Sequence, residues 1–196
     1  KTNGRPRDYT LSVALPGSIL RKAQTLELKT ALVGQVARIL AMYEVDEVVV
    51  FIDSGYEQAG DPEKGPSVQM SRLLQYVEAP PYLRKKLFPV HKDLKFAGLM
   101  PPVDAPHHMM HKDDRSMYRE GIVTDKPAGE GKCWVDIGTF EDVRIDHPLR
   151  PGIRVTIKLT EQKDQSATFL CEAVSPTEPR ELYGMYWGYQ TRLVRT

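Results

Sequence analysis

The sequence predicts an α/β fold with a second, all-β domain set into it, on three observations. A β-rich run, a helical period and a run of five consecutive apolar residues follow one another within residues 8–53. After about residue 117 the helical period gives way to short alternating runs broken by glycine and proline. An aromatic run over 183–194 closes the chain, where it can return to the first sheet. At 196 residues the chain is one large domain or two small ones, long enough to fold without staples.

Residues 8–15 (DYTLSVAL) run into Pro16-Gly17, where a strand gives way to a loop. From Thr25, a helix-capping residue type, to Tyr43 the apolar Leu28, Leu32, Val36, Ile39, Leu40 and Tyr43 recur at three- and four-residue steps. Lys29, Gln35 and Arg38 fall between them. That spacing predicts an amphipathic helix with Leu28, Leu32, Val36, Ile39 and Tyr43 on its buried face and Arg38 on its polar one. Residues 45–53 (VDEVVVFID) read as a strand buried on both faces of a parallel sheet. Strand, helix and strand make a right-handed βαβ unit. An acidic loop over 53–65 leads to a helix carrying Val68, Leu73, Leu74, Tyr76 and Val77, which Pro80-Pro81 ends before a short basic helix over 82–87.

Five short strands are then predicted, over 120–124, 132–137, 142–145, 153–160 and 168–174. Pro127 to Gly131, Pro148 and Pro151-Gly152 supply the turns. This suits a small barrel of the OB type or an SH3-like one, with alternate residues such as Val123, Val135, Val155 and Ile157 facing inward. The chain shows no internal repeat.

Composition, 41% hydrophobic and 27% charged with no long apolar run, excludes collagen-like and membrane-spanning classes. Cys133 and Cys171 are too few for a disulfide framework, so a reducing, intracellular compartment is expected. A net charge of +1 hides segregation. Residues 42–66 carry seven acids against Lys64, whereas 84–119 carry eight basic residues against four acids, with His91, His107, His108 and His111 added. Tyr82, Phe88, Phe96 and Tyr118 interleave with that basic block, the composition of a phosphate-tracking surface with stacking platforms or of a plain solvated loop.

The sequence has no GxGxxG and no GKS or GKT, so dinucleotide and P-loop binding are unsupported. Ser18 lacks the second glycine of GxSxG and reads as a turn or cap residue. His107, His108 and His111 form an HHxxH cluster with no acid or cysteine at ligand spacing, so they are assigned to RNA contact or solvent and no metal is expected. Trp134 at strand spacing either packs the barrel or, if exposed, offers a base-stacking face.

Eight blocks in one order carry a resemblance. They are Leu11 to Leu20 (LSVALPGSIL), Val45 to Phe51 (VDEVVVF), Leu74 to Glu78 (LQYVE), Pro81 to Lys85 (PYLRK), Leu94 to Leu99 (LKFAGL), Pro106 to Met109 (PHHM), Arg119 to Val123 (REGIV) and Tyr186 to Tyr189 (YWGY). Together they resemble RNA methyltransferases of the SPOUT class, with an OB-like domain inserted in a knotted α/β domain. The resemblance covers nearly all of the chain from residue 8. It implies an α/β SPOUT-type parallel-sheet domain over 8–105, an inserted OB-like β-barrel with its linkers over 106–182 and a return strand over 183–196. The trefoil knot and cofactor loops are expected beyond Tyr189, so no cofactor-binding residue is named here.

The resemblance further implies S-adenosylmethionine as cofactor, ribosomal RNA or a pre-ribosomal particle as partner, a homodimer, and a nuclear or nucleolar site of action, with the mitochondrion as the alternative. Leu32-Val-Gly34-Gln-Val-Ala-Arg38 is similar to the class motif Asn-x-Gly-x-x-x-Arg, which makes Arg38 the catalytic candidate. Leu32 stands where the motif has asparagine, so the 2′-O-ribose chemistry of the full motif is not carried over. RNA contact is expected from Arg84, Lys85, Lys86, Lys92, Lys95, His107, His108, Arg119 and Trp134. The expected function is methylation of ribosomal RNA, the alternative a non-catalytic RNA-binding assembly factor.

Overall fold

A carboxylate organises the first strand. Asp46 accepts from the Leu11 N–H at 2.7 Å and pairs with Arg7 at 3.2 Å, which sets β1 (Ser12–Pro16) beside β2 (Glu47–Phe51). The computed structural model describes residues 6–53, 65–108, 116–160 and 170–194, Leu170 by its backbone alone. The described residues divide into two units, one within 7–79, 90–105 and 188–194, the other of residue 6 with those within 80–89 and 106–187.

In the first unit β2 is the centre of a three-stranded parallel sheet, β1-β2-β8, with β8 at Gln190–Val194. Val48 and Val50 are fully buried, in register with Val13 and Leu15 on one side and Thr191 and Leu193 on the other. Alternation sends Glu47, Val49 and Phe51 to the opposite face, where they are half-buried. A strand buried on both faces is therefore corrected to one buried fully on one face among the described residues.

Helix α1 (Leu26–Met42) starts at Thr25, whose hydroxyl accepts from the Leu28 N–H at 3.3 Å. It buries Val33, Gly34, Ala37, Leu40 and Ala41, while Leu28, Ile39 and Tyr43 are 56%, 54% and 70% exposed. The predicted buried face is thus the outer one. The helix has two apolar faces, and the smaller side chains turn inward because close approach requires them. A Cβ on Gly34 would lie 2.7 Å from Pro101 Cδ and 2.9 Å from the Met100 Cα. Helix α2 (Pro66–Glu78) buries Met70, Leu73, Leu74 and Val77 and packs against β2 and β8, where Leu74 O accepts from the Tyr189 hydroxyl at 3.1 Å.

The second unit is a five-stranded antiparallel sheet in the order β5-β4-β3-β6-β7. Its strands are β3 (Tyr118–Val123), β4 (Cys133–Asp136), β5 (Val143–Ile145), β6 (Arg154–Thr160) and β7 (Leu170–Val174). The edge strands β5 and β7 approach within 8 Å between Cα atoms, so the sheet curls into a nearly closed barrel. Val123, Cys133, Val135, Ile137, Ile145 and Ile157 fill it, with Val155 and Ala173 packed alongside. Helix α3 (Pro81–Leu87) belongs to this unit, and α4 (Glu178–Tyr183) ends at Gly184, whose φ of 61° only glycine adopts readily. Among the described residues no helix is long and apolar enough to cross a membrane.

Alanine at position 34 raises intrinsic helix propensity by about 1 kcal/mol, but its methyl has nowhere to go. Overpacking against backbone outweighs that gain, so Gly34→Ala is expected to lower the stability of the parallel-sheet unit by about 1–2 kcal/mol. Amide hydrogen exchange along α1 measures it, and unchanged or increased protection contradicts the packing described.

Candidate functional site

In the barrel unit, β3 is buried along its whole length, which forces its polar residues to find partners inside. Glu120, 3% exposed, accepts from Arg154 Nε at 2.6 Å, from Thr156 Oγ1 at 2.6 Å and from Trp187 Nε1 at 2.5 Å. One carboxylate thus ties β3, β6 and the segment after α4 together. Around it stand rings at edge or tilted angles. Trp187 lies 5.9 Å from Tyr118 and 5.8 Å from His107, and His107 lies 4.5 Å from His108. The Tyr118 hydroxyl donates to Glu178 at 2.8 Å, where Lys158 also pairs at 2.8 Å. Burial first, and the Glu178 carboxylate second, push the Tyr118 hydroxyl up to about 12. The same Lys158 and Tyr118 donors hold Glu178 below the ordinary carboxylate value.

Two of the sequence candidates are interior residues. Arg119 is 6% exposed; its Nε donates to Ile137 O at 3.2 Å and its guanidinium lies over the Tyr82 ring at 5.7 Å. His107 is 2% exposed, on a single 3-10 turn over 106–108, and His108 is half-buried beside it. His111 lies outside the described residues, and among those described no cluster of His, Cys, Asp or Glu could hold a metal ion.

The basic helix α3 is clamped to the barrel. The Tyr82 hydroxyl donates to Glu120 O at 2.8 Å, Lys86 pairs with Asp136, and Gly138, at φ 74°, leaves no room for a Cβ against the Tyr82 ring. Burial pushes the Tyr82 hydroxyl up to about 12, so it donates at physiological pH. Lys85 and Lys86 remain exposed and Arg84 is half-buried. Trp134 is half-buried on the barrel wall, donates to Pro127 O at 3.2 Å and carries the Arg144 guanidinium 5.9 Å over its ring.

In the parallel-sheet unit, Arg38 is exposed on α1 and makes no side-chain hydrogen bond or ion pair among the described residues. Lys92 is exposed, and Lys95, also exposed, sits 5.1 Å over the Phe96 ring. Sequence reading missed a cavity of about 260 Å³ that draws Arg21, Lys29 and Lys92 together from separate elements. No linear signal reports such a convergence. Nor did it find Glu120 and Arg154, because an isolated acid on a strand has no visible partner until the register aligns it with β6.

This fold and these sites accompany a clear family relationship. The chain belongs to the protein family described as "Putative RNA methyltransferase", whose profile matches residues 10–196. It is 49% identical over 199 residues to a human 28S rRNA (uridine-N(3))-methyltransferase, an alignment covering 96% of this chain and 53% of that protein. Its identity to the protein of the same name from Drosophila melanogaster is 42% over 207 residues, covering 98% and 42% respectively. The chain thus spans about half the length of the curated relatives it matches.

Both tryptophans, Trp134 and Trp187, lie in the barrel unit, so tryptophan fluorescence, excited where tyrosine does not absorb, follows that unit. Glu120→Gln keeps the shape but turns an amide N–H₂ toward a donor, and is expected to cost about 2–3 kcal/mol in urea unfolding read this way. A loss under about 0.5 kcal/mol, the ordinary surface value, contradicts a structural role for the carboxylate. Glu178 gives the barrel a pH dependence. Its folded-state pKa is depressed, so its stabilisation is present above the unfolded value of about 4.3 and is lost as pH falls through the lower folded one. Glu178→Gln should therefore flatten the acid limb of the barrel's stability profile, and an unchanged limb contradicts the pairing of Glu178 with Tyr118 and Lys158.

Proposed function

We propose that the polypeptide is a methyltransferase acting on ribosomal RNA, with N3 of a uridine in the large-subunit RNA as its acceptor. The observation that carries the reading is the 49% identity to the human 28S rRNA (uridine-N(3))-methyltransferase over almost the whole chain. The α/β unit with its parallel sheet and the barrel unit fit the SPOUT arrangement with an OB-like insertion, and the reading places the protein in the nucleolus.

Methylation at N3 asks two things of a protein: to remove the N3 proton, and to balance the negative charge that then spreads over the flanking carbonyl oxygens. Arg38, permanently charged and exposed on α1, is assigned the second task as the catalytic residue. S-adenosylmethionine is the methyl donor that membership in this family implies. The cavity beside α2 does not fit its sulfonium, because Arg21, Lys29 and Lys92 line it and would repel a cation. No donor contact or donor step is therefore assigned to the described residues.

RNA backbone contact is assigned to Arg84, Lys85 and Lys86 on α3 and to Lys92 and Lys95, with His108 and Trp134 as stacking surfaces. Arg119 and His107, whose side chains are covered, are assigned to holding the barrel instead. For a homodimer, the outward apolar residues of α1, Leu28, Ile39 and Met42, form the surface that a second copy would cover.

The direct test is transfer of a labelled methyl group from S-adenosylmethionine to a large-subunit RNA fragment by the intact polypeptide. Transfer to uridine N3 is expected, and Arg38→Ala should lower turnover about a hundredfold or more with RNA affinity nearly unchanged. RNA binding without transfer favours the non-catalytic assembly factor. A second measurement concerns α3: replacing Arg84, Lys85 and Lys86 by Ala should weaken binding to every RNA sequence alike and lower the salt slope by up to about three. An unchanged slope removes α3 from the interface.

A further inference from the structure

The cavity of about 260 Å³ in the parallel-sheet unit lies at the carboxyl ends of the strands. Strand β1 runs directly into the 3-10 helix Gly17–Lys22, which supplies Leu20 and Arg21 to the lining, and the Ser18 N–H reaches across to Asp53, just past β2, at 3.4 Å. Open α/β sheets place their ligands at this end. Lys29 enters from α1, Gln69 from α2, and Lys92 with Asp93 from the 3-10 turn Lys92–Leu94.

Among the described residues the cavity lining carries three cations, Arg21, Lys29 and Lys92, and one acid, Asp93. The acid in the lining, Asp93, is engaged by Arg72 of α2 through a side-chain ion pair, and its N–H donates to His91 Nδ1 at 3.2 Å. That pairing fixes the turn on α2 and so positions Lys92. Arg21 also interacts with Asp53, whose carboxyl is held low chiefly by Ser18. Arg21 and Lys29 come from a 3-10 helix and the α-helix that follows it, Lys92 from a turn more than sixty residues further on, and they share one concave space beside an amide side chain that can donate. Three cations converging from three elements exclude a cationic or purely apolar occupant and suit an anion of high charge density.

We propose that this cavity is a phosphate-recognition site, holding a diester or terminal phosphate between Arg21, Lys29 and Lys92, with Gln69 as a neutral donor. The volume exceeds what one phosphate fills, so a nucleotide's sugar or a second phosphate is accommodated with it. The inference stands on the cavity and not on the methyltransferase reading; only the bearer of the phosphate, an RNA strand, rests on that reading.

The test titrates the intact protein with inorganic pyrophosphate and, separately, with a short single-stranded oligoribonucleotide at low salt, using calorimetry. The variant is Lys29→Met with Lys92→Met, which keeps the aliphatic stems and removes both charges. Lys132→Met, an exposed lysine of the barrel unit outside the proposed binding surfaces, is the control, and circular dichroism checks that each variant is folded. Pyrophosphate is expected to bind the wild type with one site, and the double variant should weaken it at least tenfold while the control leaves it unchanged. Should pyrophosphate bind in this way while the oligoribonucleotide does not, the phosphate site stands and an RNA as its bearer fails. No pyrophosphate binding, or binding that the double variant leaves intact, overturns the proposal whatever the oligoribonucleotide does.

Discussion

A buried carboxylate organises the barrel unit. Glu120 sits on a strand covered on both faces, and an ionised group there is tolerable only if its oxygens are satisfied. Arg154, Thr156 and Trp187 satisfy them from β6 and from the segment beyond α4. Because the three donors come from parts of the chain 34 to 67 residues away, the carboxylate selects one strand register and one path for the returning chain. Shifting β3 by one residue would put Arg119 or Gly121 in its place and leave Arg154 and Trp187 facing no acceptor. The ring cluster of Trp187, Tyr118, Tyr183, His107 and His108 then packs on that fixed point.

The parallel-sheet unit depends on small residues rather than on charge. Gly34, Ala37 and Ala41 let α1 approach its neighbours, and Gly34 in particular faces the backbone at Met100. The glycine of the Gly34-x-x-x-Arg38 motif therefore has a packing role of its own. Arg38, one turn further on, lies beside it on the helix surface and is exposed to solvent. A motif of this kind joins a close contact to an available cation, and the two halves can be separated by mutation.

Sequence patterns were reliable where a period or a run dictated the answer. The strands of the parallel sheet, both of its long helices and the five barrel strands lie close to where alternation, helical spacing and turn residues put them. The faces were less legible. Leu28, Ile39 and Tyr43 trace a good helical stripe, yet they point outward, because size complementarity rather than hydrophobicity decided which side of α1 meets the core. The same limit applied to charged candidates. Arg119 and His107 look like their solvated neighbours in a linear basic block, and only the fold distinguishes an arginine stacked on Tyr82 from one facing water. The cavity cations Arg21 and Lys29 stood apart from that block and were passed over, since sequence proximity was the only signal available.

The proposed base methylation of ribosomal RNA rests on family membership and on the identity to a 28S rRNA (uridine-N(3))-methyltransferase. The most direct measurement is the N3-methyluridine content of large-subunit ribosomal RNA, by mass spectrometry of nuclease digests, from cells with and without the protein. The account predicts that loss of the protein removes the mark at a single uridine and that the wild type restores it where an Arg38→Ala form does not. Undiminished N3-methyluridine in cells lacking the protein would contradict it.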